Sequence, residues 1–243
     1  MQASIIFKNV KKEFLLQEDR TFKEFLPSLL SGKGWATTKE VLHEISFTIS
    51  QGETVALVGK NGAGKSTILK LIAGVTYPSS GLVAVQGQVA PLIELGAGFH
   101  HELSGYENIF LNAAILGMHK KEIELCLSDI IAFSELEEYL HVPLKKYSTG
   151  MQMRLAFSIA IHTPAPILLV DEVLAVGDAD FQKKCLRRLT EIKNTGDKVI
   201  VFVSHDEKSV VNFCERAILL ENGEVVKDSI PSKIFELYLS NSQ

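Results

Sequence analysis

The stretch GKNGAGKST, residues 59–67, contains the residue types and spacing that bind a nucleotide phosphate chain. It follows the apolar run TVALV and precedes ILKLIAG, so the pattern G-x-x-x-x-G-K-[ST] has the strand, loop and helix context that it requires. Lys65 is predicted to reach the β and γ phosphates, and the Ser66 hydroxyl is placed for Mg²⁺. A chance glycine-rich turn is the alternative, and this context argues against it. The predicted phosphate-binding residues are Gly59, Asn61, Gly62, Ala63, Gly64, Lys65, Ser66 and Thr67.

Two further strand ends carry groups that could act on a bound phosphate. The run ILLVDE ends in Asp171 and Glu172, where an aspartate can hold the water shell of the metal and a glutamate can deprotonate an attacking water. The next apolar run, VIVFVSH, ends in His205, within expected reach of a γ-phosphate. The alternatives are that the acids merely end a strand and that the histidine is structural. The phosphate loop in the same chain favours the catalytic interpretation.

The stretch KYSTGMQMRLAFSIAIH, residues 146–162, places Ser148 and Gly150 at the head of a helix-favouring apolar run. Serine is a preferred N-cap residue, so the head of this helix can simply satisfy its own backbone donors. A helix N-terminus is also a ready site for an anion. The stretch by itself leaves both interpretations open.

Positioning these groups requires an α/β sheet interrupted by helices. ASIIFKNV, EISFTIS, TVALVG, APILLVDE and KVIVFVSH read as strands, the last two as buried parallel strands because their apolar runs are uninterrupted. Three helix-length segments lie between them, and DFQKKCLRRLTEIKNTG reads as a crossover helix closed by glycine. The segment 17–40 is irregular and suggests a short amphipathic helix, either a packed surface insertion or a membrane-facing one.

Composition limits the class of protein. With 243 residues and 46% hydrophobic content, the chain can bury one core or one core plus a subdomain. A net charge of −4 gives no electrostatic footprint for nucleic acid. The three cysteines follow no metal-ligand pattern, and no apolar run approaches the roughly 20 residues that span a bilayer. We therefore expect a soluble chain from a reducing cytosol, without nucleic acid as a partner.

Together these motifs resemble the nucleotide-binding subunit of an ATP-binding cassette (ABC) transporter. That family's helix head is usually L-S-G-G-Q. Here YSTGM matches it at Ser148 and Gly150 and departs from it at Tyr147, Thr149 and Met151. The resemblance implies a P-loop NTPase fold with a RecA-like mixed sheet core, an antiparallel β-subdomain and an inserted α-helical subdomain. The implied catalytic core is 1–93 with 163–243, and the helical subdomain is 94–162.

The resemblance also implies ATP and Mg²⁺ as cofactors and assigns further residues. Phe14 stands where the family stacks an aromatic ring on adenine, although a Phe after a strand is also an ordinary core residue. Asp178 matches an aspartate that contacts the second subunit. The family's loop glutamine is missing, and Glu94 is the nearest candidate, either as a metal contact or facing a partner. The implied mechanism is an ATP-bound homodimer, in which Ser148 and Gly150 of one chain meet the γ-phosphate held by the other.

The chain resembles the branch that exports cell-surface polysaccharide, the O-antigen and teichoic acid exporters, in the stretches LIELGAGFHHELSGYENI, YSTGMQMRLAFSIA and DEVLAVGDADFQKKC and in the insertion before VLHEISF. The implied partner is an integral membrane permease, present as a pair, that contacts the groove around 94–107 and carries a lipid-linked glycan. The expected location is peripheral, on the cytoplasmic face of the cytoplasmic membrane. The carbohydrate-binding domain that some members add after this domain is not expected. The alternatives are a transporter ATPase for a drug, lipid or lipoprotein and a soluble ABC ATPase outside transport.

Overall fold

The computed structural model describes residues 4–16, 37–93, 95–171, 178–204 and 206–240. Over these ranges the chain forms two β-sheets and a block of helices, as the order of strand-length and helix-length segments predicts. The predicted amphipathic helix lies outside the described residues. None of the helices in these ranges is both long and apolar enough to span a bilayer.

The described residues contain nine strands and seven α-helices. The strands are β1 (Ser4–Leu16), β2 (Thr37–Ser50), β3 (Thr54–Val58), β4 (Ser80–Gln86), β5 (Val89–Leu92), β6 (Ile167–Val170), β7 (Val199–Val203), β8 (Arg216–Glu221) and β9 (Glu224–Ser229). The α-helices are α1 (Lys65–Ile72), α2 (Gly105–Ile115), α3 (Lys120–Ser134), α4 (Thr149–Ile161), α5 (Ala179–Thr195), α6 (Glu207–Phe213) and α7 (Pro231–Ser240). Short 3₁₀ turns at Glu137–Tyr139 and Leu144–Lys146 connect α3 to α4.

The larger sheet has six strands in the order β5-β6-β7-β3-β8-β9. All its pairs are parallel except β8 with β9. Every residue of β3, β6 and β7 is buried, which confirms the prediction of central strands covered on both faces. Because these three strands are parallel neighbours, their carboxyl ends meet at one edge of the sheet.

The crossover helix between β6 and β7 is also confirmed. Helix α5 starts after its N-cap Asp178 and ends at Gly196, whose φ of +68° is the left-handed conformation that glycine adopts easily. Its buried face carries Phe181, Cys185 and Leu189. This helix therefore packs on the sheet beside the strand that ends in Asp171.

The smaller sheet is antiparallel, in the order β2-β1-β4. Strands β1 and β2 pair much further than the sequence predicted, as far as Leu16 opposite Thr37. Residues 37–40, expected in the irregular insertion, belong to β2, and Phe14 lies inside β1 rather than after it. The polar residues in these strand ends hid the pairing, because each end is stabilised by its cross-strand partner and not by an apolar pattern of its own.

Helices α2, α3 and α4 lie within the range predicted for the helical subdomain, 94–162. They enclose an apolar core of their own that includes Ile109, Ile130, Leu144 and Leu155. Helix α2 begins with a capping box, in which the Ser104 hydroxyl and the Glu107 carboxylate each accept a backbone N–H of the other residue. The helical block therefore has a core and a helix cap that do not depend on contacts with the sheet.

Candidate functional site

The predicted phosphate loop joins β3 to α1 at the shared edge of the larger sheet. Its glycines are required by close packing as well as by conformation. A Cβ on Gly59 would overlap the carbonyl oxygen of Leu220 on β8. At Gly64, φ is +105°, and a Cβ would lie 2.6 Å from Cδ2 of Leu42 on β2. The loop is therefore held between both sheets.

Helix α1 presents an open N-terminus. Its N-cap is Gly64, and among the described residues no side chain caps its first backbone N–H groups. The Lys65 ammonium is buried and donates to the Gly59 carbonyl at 2.6 Å and to the Lys60 carbonyl at 3.1 Å, which closes the loop on itself. The N–H groups of the first turn, the helix dipole and a nearby ammonium together make a strong anion site.

An open cavity of about 260 Å³ lies in front of this helix. Ser66 and Asp171 both border it, and a hydroxyl and a carboxylate are hard oxygen ligands that suit Mg²⁺. In the described part of the chain, no group of three or more His, Cys, Asp or Glu side chains could hold a metal. That donor set fits Mg²⁺ shared with phosphate and water, which binds through only one or two protein ligands. The described residues that border the cavity are Val41, Asn61, Gly62, Gly64, Lys65, Ser66, Thr67, Asp171 and Val203.

Three predicted site residues, Glu94, Glu172 and His205, lie outside the described residues. Their chain neighbours are described. Glu172 directly follows Asp171, and His205 follows Ser204, which comes just after β7. The sheet order thus brings the ends of β6 and β7 beside β3 and its loop, as the sequence predicted.

Phe14 does not lie in the core, which was the alternative interpretation of this residue. Its side chain is 39% exposed, so it is not a core residue. It pairs with Lys39, two residues before the cavity residue Val41, and the Lys12 ammonium lies 4.7 Å from its ring centroid. An exposed aromatic ring near the phosphate cavity is available for stacking. Val41 and Val203 border the same cavity and were missed, because an isolated valine has no sequence pattern that marks a site.

Ser148 is the N-cap of α4, and its hydroxyl accepts the Met151 N–H at 3.2 Å. The capping interpretation is therefore observed. Gly150 faces open space, since a Cβ there would meet only the Ser148 hydroxyl, at 3.9 Å. Neither residue borders the phosphate cavity of its own chain. A phosphate at this helix head would have to come from outside the chain.

Asp178 caps α5 by accepting the N–H groups of Asp180 at 3.2 Å and Phe181 at 3.0 Å. The Phe181 N–H, more than the Arg154 guanidinium, lowers the pKa of this carboxyl. Arg154 on α4 forms an ion pair with Asp178 and donates to Glu135 at 2.9 Å. Sequence reasoning missed Arg154, because its partners Glu135 and Asp178 lie on two other segments, far from it in the sequence. Within one chain, Asp178 connects the helical block to the core.

The predicted groove around 94–107 opens onto an apolar cavity of about 210 Å³ between the larger sheet and the helical block. Leu95, Gly96 and Ala97 border this cavity, together with residues outside the predicted range. Val75 and Ile115 at its edge are 71% and 58% exposed. The other described residues that border it are Lys70, Ala73, Pro91, Ile93, Asn112, Leu116, Ala156 and Ala160.

Comparison with known proteins identifies the class to which this site belongs. The family model described as ABC transporter matches residues 42–175, which is more than half of the chain. The chain belongs to the ABC transporter family. It is therefore an ATP-binding chain and an ATPase coupled to transport.

Two relatives of this ABC transporter ATPase are named as ATP-binding proteins of export systems. It is 43% identical to the O-antigen export system ATP-binding protein RfbB of Klebsiella pneumoniae, with 98% of each chain covered. It is 40% identical to the teichoic acids export ATP-binding protein TagH of Listeria innocua serovar 6a, over 91% of this chain and 65% of that protein. A solved ATP-binding subunit of an ABC transporter has the same fold, with a TM-score of 0.77, 23% identity and coverage of 98% and 99%. The predicted fold class is confirmed.

Proposed function

We propose that this chain is the ATP-hydrolysing subunit of an exporter that moves a lipid-linked cell-surface polysaccharide, O-antigen-like or teichoic acid-like, across the cytoplasmic membrane. One observation carries this cargo class. The similarity to the O-antigen export protein extends over 98% of both chains, so it includes the segments outside the common ATPase motifs. The similarity to the teichoic acid export protein points to the same class of cargo.

The proposed chemistry follows from the groups around the phosphate cavity. The open N-terminus of α1 and the Lys65 ammonium bind and orient the phosphates, while Ser66 and Asp171 hold Mg²⁺. Glu172 takes a proton from the attacking water, and His205 contacts the γ-phosphate. The Phe14 ring covers the adenine. Bound Mg²⁺ supplies charge neutralisation for the transferred phosphoryl group.

We further propose that two copies close head to tail around ATP. Ser148 and Gly150 border no part of the phosphate cavity in their own chain, and the backbone at Gly150 is accessible. The head of α4 can therefore meet a phosphate that a second copy holds. Asp178, at the start of α5, lies on the segment next to Glu172 and is proposed to contact the second copy. Hydrolysis would then separate the two copies.

The permease is proposed to bind at the apolar cavity that begins at Leu95, from the cytoplasmic face of the membrane. An apolar depression with exposed Val75 and Ile115 at its edge fits a partner segment with apolar side chains. Glu94 directly precedes the cavity residue Leu95 in the sequence, so we favour a role toward the permease over a metal contact. Glu94→Gln should then leave the ATPase of the isolated subunit intact and weaken coupling in the assembled complex. A large loss of ATPase in the isolated subunit would return Glu94 to the metal.

Deletion of the gene in its host tests the cargo directly. The surface polysaccharide should disappear and its lipid-linked precursor should accumulate inside the cell. The wild-type chain should restore export, and Lys65→Ala should fail to restore it because it lacks the phosphate ligand. Surface glycan that persists in the deletion strain, with accumulation of a drug, lipid or lipoprotein, would show that the cargo is different.

A further inference from the structure

Backbone hydrogen bonds join the start of α2 to the segment that leads into α4. This contact joins residues 101–106 to residues 140–145, and we call it the ladder. Its hydrogen bonds are Tyr106 N–H to Leu140 O at 2.8 Å, Gly105 N–H to Val142 O at 3.2 Å, Leu144 N–H to Leu103 O at 2.9 Å and Lys145 N–H to His101 O at 2.9 Å. The ladder ends two residues before Tyr147, which directly precedes Ser148.

Tyr147 is buried and hydrogen-bonded just beyond the end of the ladder. Its side chain is only 6% exposed, and its hydroxyl donates to the Tyr139 carbonyl at 2.7 Å. Burial raises the pKa of this hydroxyl above its ordinary value. The family's usual leucine at this position has no hydroxyl to make such a contact.

Gly105, the first residue of α2, is packed directly against Tyr147. A Cβ at this position would overlap the Tyr147 hydroxyl oxygen and lie 3.0 Å from Cζ of the ring. This close approach explains the glycine, because any Cβ at position 105 would have to displace the Tyr147 hydroxyl. The first turn of α2 and the residue before the head of α4 therefore form one tightly fitted contact.

We propose that Tyr147 is a positioning residue for the ATPase reaction. Its hydroxyl, fitted between Gly105 and the Tyr139 carbonyl, sets the head of α4, with Ser148 and Gly150, relative to the start of α2. This inference rests on the proposed function, in which that helix head meets the phosphate of a second copy. Such a contact depends on placement, because a displacement of about 1 Å can cost on the order of a hundredfold in rate.

The test uses the full chain with four variants: Tyr147→Phe, Gly105→Ala, the double variant and Tyr139→Phe. Tyr139→Phe is the matched control, because it removes a nearby tyrosine hydroxyl and keeps the carbonyl that accepts the Tyr147 bond. ATP-dependent dimerisation is measured by sedimentation in a Glu172→Gln background, and turnover is measured in the wild-type background. Melting temperature and ATP affinity are recorded for every variant.

Tyr147→Phe should weaken the ATP-bound dimer and lower kcat by about tenfold, with KM for ATP within about twofold of the parent. Gly105→Ala should cost more, because its Cβ displaces the hydroxyl. The double variant should recover part of that loss, because the overlapping oxygen is gone. Tyr139→Phe should behave as the parent.

A purely structural role for Tyr147 predicts lower melting temperatures with unchanged dimerisation and kcat, and that result would overturn the inference. If Gly105→Ala does not fold, Tyr147→Phe and the double variant still decide. Gly150→Asp, measured in the same way, separates the positioning role of Tyr147 from the proposed contact between the head of α4 and the phosphate of a second copy. If Gly150→Asp prevents dimerisation while Tyr147→Phe matches the parent, only the positioning role is wrong. If Gly150→Asp also matches the parent, the contact between copies is wrong and the positioning role is overturned with it.

Discussion

The two helix heads that the sequence marks as phosphate sites are built differently. Helix α1 begins after a glycine N-cap, and no side chain among the described residues caps it. The cavity in front of this helix is also bordered by Lys65 and Asp171. Helix α4 begins at Ser148, whose hydroxyl already accepts one of the helix's own N–H groups, and it borders no part of that cavity. The first head has the features of an anion site within one chain. The second becomes useful for phosphate only when another molecule brings the phosphate to it.

The largest expected effect tests the complete site. Glu172→Gln should keep ATP binding and lower turnover by roughly 10²-fold or more, because it removes a general base without removing a phosphate ligand. It should also accumulate an ATP-bound dimer, measurable by sedimentation. Lys65→Ala is the control, and it should lose ATP affinity by roughly 10-fold to 100-fold, since a hydrogen bond to a charged group contributes about 1.5–3 kcal/mol. Near wild-type turnover in Glu172→Gln would remove this residue from the role of base.

The second test addresses the head of α4. Gly150→Asp should weaken the ATP-bound dimer by on the order of tenfold or more, because a carboxylate there faces phosphate at close range. ATP affinity of the monomer should change little, since the cavity in front of α1 is untouched. Sedimentation in the Glu172→Gln background measures the first quantity, and nucleotide titration measures the second. Unchanged dimerisation would leave α4 with a capping role alone.

A matched pair of alanine variants compares the two glycines directly. Gly64→Ala should lower the free energy of unfolding by about 1–3 kcal/mol, because φ is +105° and Leu42 stands in the way. Gly150→Ala should leave that free energy unchanged or raise it by up to about 1 kcal/mol, because it is helical and open. It should nonetheless weaken the dimer. Urea titration of both variants checks the stability, and a destabilised Gly150→Ala would contradict the open geometry.

Removal of the cap has a smaller expected effect. Ser148→Ala deletes the acceptor for the Met151 N–H and should lower the free energy of unfolding by about 1 kcal/mol. If the hydroxyl also serves the second copy, dimerisation falls beyond what this destabilisation explains. Ser148→Thr retains an N-cap hydroxyl and should recover most of the stability. A stability loss shared equally by Ser148→Thr would argue against the cap.

The smallest expected effect concerns the other end of α4. His162 follows this helix, its Nδ1 lies 2.7 Å from the Ser158 carbonyl oxygen, and burial lowers the pKa of the imidazole below 6.5. A histidine with a lowered pKa contributes stability above pH 6.5, and this contribution is lost as the pH falls through the folded-state pKa. His162→Gln should therefore show a shallower decline in unfolding free energy below that pH, by less than about 1.4 kcal/mol per pH unit. Parallel declines for both proteins would contradict the lowered pKa.

The sequence predicted the parts of the fold that depend on a local pattern of apolar residues and glycines. The buried strands β3, β6 and β7 and the glycine-closed helix α5 match their sequence patterns. The hairpin of β8 and β9 was missed, although Asn222 and Gly223 have φ values of +47° and +81° and form the Asn-Gly pair typical of such a turn. The stretch 81–96 could not be divided from sequence alone. Its two strands, β4 and β5, join different sheets, and only their partners decide that.

The sequence by itself determined the phosphate loop, the acidic strand end and the cap of α4, because each depends on consecutive residues and on the periods of strand and helix. The tertiary structure alone decided that Ser148 and Gly150 lie away from their own chain's phosphate cavity, that Arg154 binds Asp178, and that Gly105 is packed on Tyr147. These relations join residues that are far apart in the chain. They arise when the helical block packs against itself and the sheet, and no local pattern records which distant side chains that packing brings together.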